Sequence, residues 1–248
     1  MHIRSLMLAL PLFAAVLPAQ TAAPVATDLP HVVIDTVGPD GWRMRFGPTN
    51  LGSLLESEKG RTMWEPQVMP MLGMWQQLVG DEAAFAAARA RLLGHGGRIR
   101  IGVWFDGDGM QSGKGPQHAA IVVDGDGRSD LAALANDVRE LQTKTMPGEW
   151  IDVDVAGAKV PTRQDGDDVI TAPLAEGGRL TIAYARDGEL AAALARARTL
   201  AADFTGKPPA PNTPALRMQF DIAGMVKLSQ AKEAASERGL MTALGVDS

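Results

Sequence analysis

Between Trp150 and Ala185 the chain repeats one device: a short stretch suited to a strand, then a few residues of turn chemistry, then another stretch. Trp150-Ile151-Asp152-Val153-Asp154-Val155, Ala158 to Thr162, Val169 to Ala172 and Arg179 to Ala185 alternate with Ala156-Gly157, Asp165-Gly166-Asp167 and Glu176-Gly177-Gly178. Glycine and aspartate at such points favour tight hairpin connections. A parallel neighbour would need a crossover of a dozen or more residues, and these links are far too short. A mainly antiparallel sheet is the expected framework.

Helical signals flank that run. Leu131, Leu134, Val138 and Leu141 recur at i, i+3, i+7 and i+10, a single buried stripe on a helix. Leu190, Leu194 and Ala197 do the same for a helix from Glu189 to about Ala202. Upstream, helices are expected from about Leu51 to Ser57, from near Pro66 to about Val79, and from Glu82 to Leu93 behind a cap at Asp81. Further strands are expected at Val32-Val33-Ile34, at Trp42 to Phe46 after a turn at Gly38-Pro39-Asp40-Gly41, at Ile99 to Phe105, at Ala119 to Val123 and at Leu216 to Phe220. A helix from Ile222 to Arg238 follows, stopped by Gly239. The expected class is α+β: a mainly antiparallel sheet with helices packed on one face, and a helical N-terminal segment. Strand, acidic turn and Ala/Leu-rich helix recur at Ile121–Asp124, Ile182–Asp187 and Met218–Asp221, which suits either a duplication or a simple way of laying helices on a sheet.

The N-terminus points outside the cytoplasm. Met1-His2-Ile3-Arg4 is a short positive start, Leu6 to Leu17 is apolar apart from Pro11, and Pro18-Ala19-Gln20 supplies a small-residue end. That run is too short to span a bilayer, which takes about 20 residues, and its layout is that of a secretory signal. The expected organisation is a signal peptide over 1–19, a flexible tether over 20–30, an α+β domain over 31–205, a Pro-rich linker over 206–214, and a strand–helix unit over 215–248. The last unit reads as the start of a further repeat, because the apolar segment Leu240 to Ser248 stops where another element is expected. The expected location is secreted or periplasmic, with no transmembrane span after signal cleavage.

Composition removes several chemistries. With no cysteine, the chain has no disulfide, thiolate metal site or thiol nucleophile. Its 24 basic residues are outnumbered by 29 acidic ones and form no stripe, so nucleic acid is not an expected partner.

The order of these features carries a resemblance. A secretory signal, then Phe46-Gly47-Pro48-Thr49-Asn50-Leu51-Gly52-Ser53-Leu54-Leu55, then Glu65-Pro66-Gln67-Val68, then strand–acidic-turn–helix units resembles a group of secreted, planctomycete-type bacterial proteins with a domain of unknown function. The resemblance implies envelope location and this fold. It implies no catalytic residues.

Individual motifs give way to simpler readings. Asp-Gly-Asp at 106–108, 124–126 and 165–167 would offer calcium hard oxygen ligands, but the copy starting at Asp124 carries Arg128, Ser129 and Ala135 where an EF-hand needs a ligand, a glycine and a glutamate. Turn or cap roles suit these aspartates better. Gly107 to Gly115 lacks the first glycine and the Ser/Thr of a phosphate loop. Ser229-Gln230-Ala231-Lys232 lacks the companion motifs of penicillin-recognising enzymes. His31, His95 and His118 are isolated in sequence.

The sharpest anomaly is Met63 to Trp75, rich in thioethers and indoles. Met71, Met74, Trp75 and Leu78 follow i, i+3, i+4 and i+7, a pattern that suits core packing. Trp64, Met71, Met74 and Trp75 are retained as a candidate partner or ligand surface, with Cu(I) as the metal that thioethers would select. No catalytic residue, cofactor or metal is expected. The leading expectation is a non-enzymatic envelope module whose partner is another envelope protein. The alternatives are an extracytoplasmic enzyme whose clustered carboxylates act on a metal or sugar, and a Met/Trp-lined ligand binder.

Overall fold

The computed structural model describes residues 29–50, 53, 57–59, 82–107, 109, 115–146, 148–210 and 212–230. The signal, most of the tether, most of the expected helix near 51–57, the expected helix near 66–79, the last part of the one expected to Arg238, and all four residues of the Met/Trp surface lie outside that set.

The class is α+β, built on a nine-stranded sheet in which every neighbouring pair is antiparallel. Its strands are β1 (Val32–Val37), β2 (Arg98–Trp104), β3 (His118–Asp124), β4 (Ile151–Val155), β5 (Ala158–Asp165), β6 (Asp168–Thr171), β7 (Leu174–Glu176), β8 (Arg179–Ala185) and β9 (Leu216–Phe220). Their spatial order is β4-β5-β6-β8-β3-β2-β1-β9, with β7 also on β8. The helices are α1 (Pro39–Phe46), α2 (Glu82–Leu93), α3 (Leu131–Thr145) and α4 (Leu190–Leu200), and residues 222–230 are helical as well.

The hairpins form where the turn residues stand. Val155 pairs with Ala158 and Glu176 with Arg179, so each loop is two residues long. Ala156 and Gly157 both have positive φ (54° and 82°), as do Gly177 and Gly178 (57° and 77°). Two left-handed residues in succession turn the chain with the twist of the flanking strands. β7 is an element the sequence reading did not anticipate. It continues the line of β6 along β8 beyond Ala172-Pro173, where proline has no N–H to donate to a ladder.

Two expectations need correction. Trp42 to Phe46 is not a strand but most of α1. Pro39 occupies the first turn, where its missing N–H costs nothing, and Asp40 favours the positive end of the helix. Trp42 and Phe46, four residues apart, stack at 4.8 Å, and the Trp42 indole N–H donates to Thr36 Oγ1 at 2.9 Å. Alternation over five residues can mimic a strand, and here the proline decides.

Helices also cover both faces of the sheet, where one face was expected. Leu131, Leu134 and Ala135 of α3 pack with Ala119, Val123, Leu180, Ile182 and Tyr184. Ala193, Leu194 and Ala197 of α4 lie in clusters with Ala120, Val122, Ala183 and Ala185, the residues of opposite parity on the same two strands. The reason is visible in β3 itself: Ala119 to Val123 is an unbroken apolar run, and a strand buried on both sides has no polar face to alternate with.

The strand beyond the Pro-rich segment joins this same sheet. β9 pairs with β1 through Leu216↔Thr36 to Phe220↔Val32 and forms its outer margin. Among the described residues no helix is long and apolar enough to cross a membrane.

Candidate functional site

Of Asp106, Asp124 and Asp187, the aspartates that a clustered-carboxylate enzyme would need together, the first and last share Arg186 and Asp124 stands apart. Asp106 lies beyond β2, pairs with Arg186 and accepts the Gly109 N–H at 2.6 Å; Asp187 lies 3.3 Å from Arg186 Nε. Asp124 sits at the other end of β3, roughly 20 Å away by strand rise, and accepts the N–H groups of Thr205 (3.0 Å) and Gly206 (2.8 Å). Each carboxylate ties a loop. Among the described residues no group of three or more His, Asp or Glu is placed to hold a metal.

Two buried histidines form polar clusters at opposite ends of the central strands. His118 begins β3 and is 1% exposed. The Arg196 guanidinium lies against its Nδ1, and Glu189 Oε2 is 3.3 Å from its Nε2. A guanidinium can only donate, so Nδ1 is the acceptor and the ring is neutral. Burial, reinforced by the charge of Arg196, pushes the His118 pKa down. Its basic nitrogen is already occupied, which leaves no lone pair for a substrate proton.

At the opposite end His95 meets Ser129 and Asp126. Ser129 Oγ is 3.1 Å from His95 Nδ1 and donates to Asp126 Oδ2 at 2.8 Å. Hydrolytic triads place serine and carboxylate on different ring nitrogens. Here Asp126 Oδ2 is 3.9 Å from the same Nδ1, while Nε2 is buried without a hydrogen bond. Burial alone would raise the Asp126 pKa. Hydrogen bonds from Ser129 N, Gly96 N, Arg128 N and Ser129 Oγ overrule it and hold the carboxyl far below the usual range. The trio clamps the loop after α2 to the loop before α3.

The polar surface that remains open lies beside β9. Asp35 of β1 bridges Arg98 and Arg100 of β2, the latter at 2.8 Å. Asp203, just past α4, binds Arg100 at 2.6 Å and Arg98 at 3.1 Å. Both guanidiniums lie over the Phe204 ring, at 4.8 and 5.0 Å from its centroid. Hydrogen bonds and charge from the two arginines keep Asp203 well below the normal carboxylate range. A cavity of about 320 Å³ opens here, walled by Asp35, Arg98 and Asp203 on one side and by Asn212, Thr213, Pro214 and Arg217 on the other. Arg217, exposed on β9, makes no ion pair among the described residues.

The β9 edge itself is the second open feature. Phe220, Ile222, Val226 and Leu29 are 51%, 57%, 47% and 50% exposed. They gather at one end of the sheet, because Phe220 pairs with Val32 and Asp221 N donates to His31 O at 2.8 Å. Sequence reasoning marked Leu216 to Phe220 as a strand and passed over it as a surface. The available signal was Phe220 and Ile222 separated by Asp221 alone, two large apolar groups at a strand end with no turn glycine between them. No protein-family model, no curated protein and no solved structure matches this chain.

Proposed function

We propose that this chain is a non-enzymatic module that works outside the cytoplasm and contacts another polypeptide along the β9 edge. The observation that carries the reading is the edge itself. β9 has a neighbour on one side only among the described residues, and half-exposed Phe220, Ile222, Val226 and Leu29 stand at its end. An edge strand with apolar side chains is a ready template for a further strand. Extracytoplasmic location rests on the charged start, apolar middle and small-residue end of residues 1–19.

The test is a photo-crosslinking amino acid at Phe220, compared with the same group at exposed Lys159, in cells that naturally make the protein. An adduct from position 220 and none from 159 is the expected result. No adduct at 220, or equal labelling at both, overturns the reading. Location is checked by sequencing the N-terminus of the mature product, which should begin at Gln20. Retained Met1 would refute export.

A further inference from the structure

We infer that the partner at β9 is a second copy of this chain, joined edge to edge about a two-fold axis at Met218; the inference rests on the binding reading above. Two antiparallel copies of one strand keep each face continuous, so residues of equal parity come opposite each other. Leu216, Met218 and Phe220 share one face of β9, and Arg217 and Gln219 share the other.

With Met218 opposite Met218 of the second copy, all five residues of the strand overlap. Leu216 then faces Phe220, and Arg217 faces Gln219. The apolar face meets only apolar groups, and the one cation meets an amide that can accept its hydrogen bond. Neighbouring registers are worse. Centring on Arg217 would oppose two guanidiniums, which is destabilising. Centring on Gln219 would set Arg217 opposite Asp221, but that carboxylate already caps the following helix through the Gly224 N–H, and Leu216 would be carried past the strand end to Ile222, where residues 222–230 turn helical.

The opposite edge of the sheet does not compete. Asp152 and Asp154 are exposed on one face of β4, and antiparallel self-pairing centred on Asp152, Val153 or Asp154 sets carboxylate against carboxylate. Of the two end strands of the described sheet, β9 is therefore the self-complementary one, which makes a closed pair rather than a filament.

The absence of cysteine makes the register directly readable. Directly opposed residues in an antiparallel pair have Cα atoms about 4.5–5.5 Å apart, within the range a disulfide spans. Single variants Met218→Cys, Arg217→Cys and Gln219→Cys are oxidised in the purified full-length secreted chain, and the mass of the unmodified chain is followed over a concentration series by sedimentation. Met218→Cys is expected to form a disulfide-linked pair, and its two neighbours are not. The unmodified chain is expected to reach twice the single-chain mass. Phe220→Lys, at a site already half exposed, should weaken pairing by about tenfold or more with an unchanged far-ultraviolet spectrum.

A chain that stays single at every concentration, or cysteines that cross-link equally at all three positions, overturns self-pairing. The mass of the Phe220 photo-adduct separates the two ideas. An adduct that is not twice the chain's mass sinks self-pairing and leaves the binding reading standing, whereas no adduct sinks both.

Discussion

The two margins of the sheet are built to opposite rules. At β4 Val153 and Val155 pack inward against the α4 side and Ile151 is 44% exposed at the strand's start, while Asp152 and Asp154 stand exposed on the other face. At β9 the exposed end carries Phe220, and its single charge, Arg217, lies on the opposite face. Charges on an edge strand discourage pairing with another chain, and exposed aromatics do the reverse. The difference teaches that an open strand is not by itself a binding surface. What decides is whether its side chains repel or match what would lie beside them.

Between those margins the sheet is held from both sides, and the largest effects are expected there. Leu134 is 4% exposed and lies in the cluster that joins α3 to β3 and β8. Leu134→Ala should cost about 2–5 kcal/mol in denaturant melts. Asn136→Ala, at an exposed position of the same helix, should stay within about 0.5 kcal/mol. Equal small losses at both positions would mean that α3 does not anchor the centre.

Acid should loosen the sheet through its neutral histidines, those of the central strands and also His31 beside β9, whose pKa burial pushes down too. His95 and His118 are buried and neutral, with pKa values pushed below 6.5, chiefly by burial. Their imidazoles take up protons more readily when the chain unfolds. Stability from this source is therefore complete above pH 6.5 and is lost as pH falls below it, by up to about 1.4 kcal/mol per pH unit for each ring. Urea midpoints at pH 7.5 and 5.5 measure the loss, and His118→Gln should flatten the slope. A midpoint that does not move between those values would contradict neutral buried rings.

A smaller effect is expected at the start of α3. Asp130 accepts the Ala133 N–H at 2.9 Å as its N-cap, and Asp130→Ala should cost about 1 kcal/mol.

The smallest effect on stability is expected at β9, the margin proposed for contact. Phe220→Ser should change the unfolding free energy by no more than about 0.5 kcal/mol while weakening the pair in the same sedimentation series. Asp152→Asn with Asp154→Asn provides the reverse test. If removing those charges makes β4 associate, repulsion is what separates the two edges. If nothing changes, the contrast rests on the apolar groups of β9 alone.

Much of the fold was legible because local chemistry specifies it. The hairpin turns at Ala156-Gly157 and Gly177-Gly178, the α3 stripe, the α4 helix and the strand at Leu216 all fall where the residues indicate. α1 was misread because Trp42 to Phe46 is too short for its period to outweigh Pro39. The polar clusters were not legible at all. His95, Asp126 and Ser129 are joined across 34 positions, and His118 meets Arg196 across 78, distances over which no sequence period operates.

Apart from α1 and β7, the sequence by itself determined which of the described segments are strands and helices and that the strands run antiparallel, because side-chain period and turn geometry act over a few residues. Only the tertiary structure decided that β8 lies beside β3, that α3 and α4 take opposite faces, and that β9 rather than an inner strand forms the apolar margin. Those outcomes depend on which distant surfaces exclude water together, and a strand carries no local mark of which neighbour, or how many, it will have.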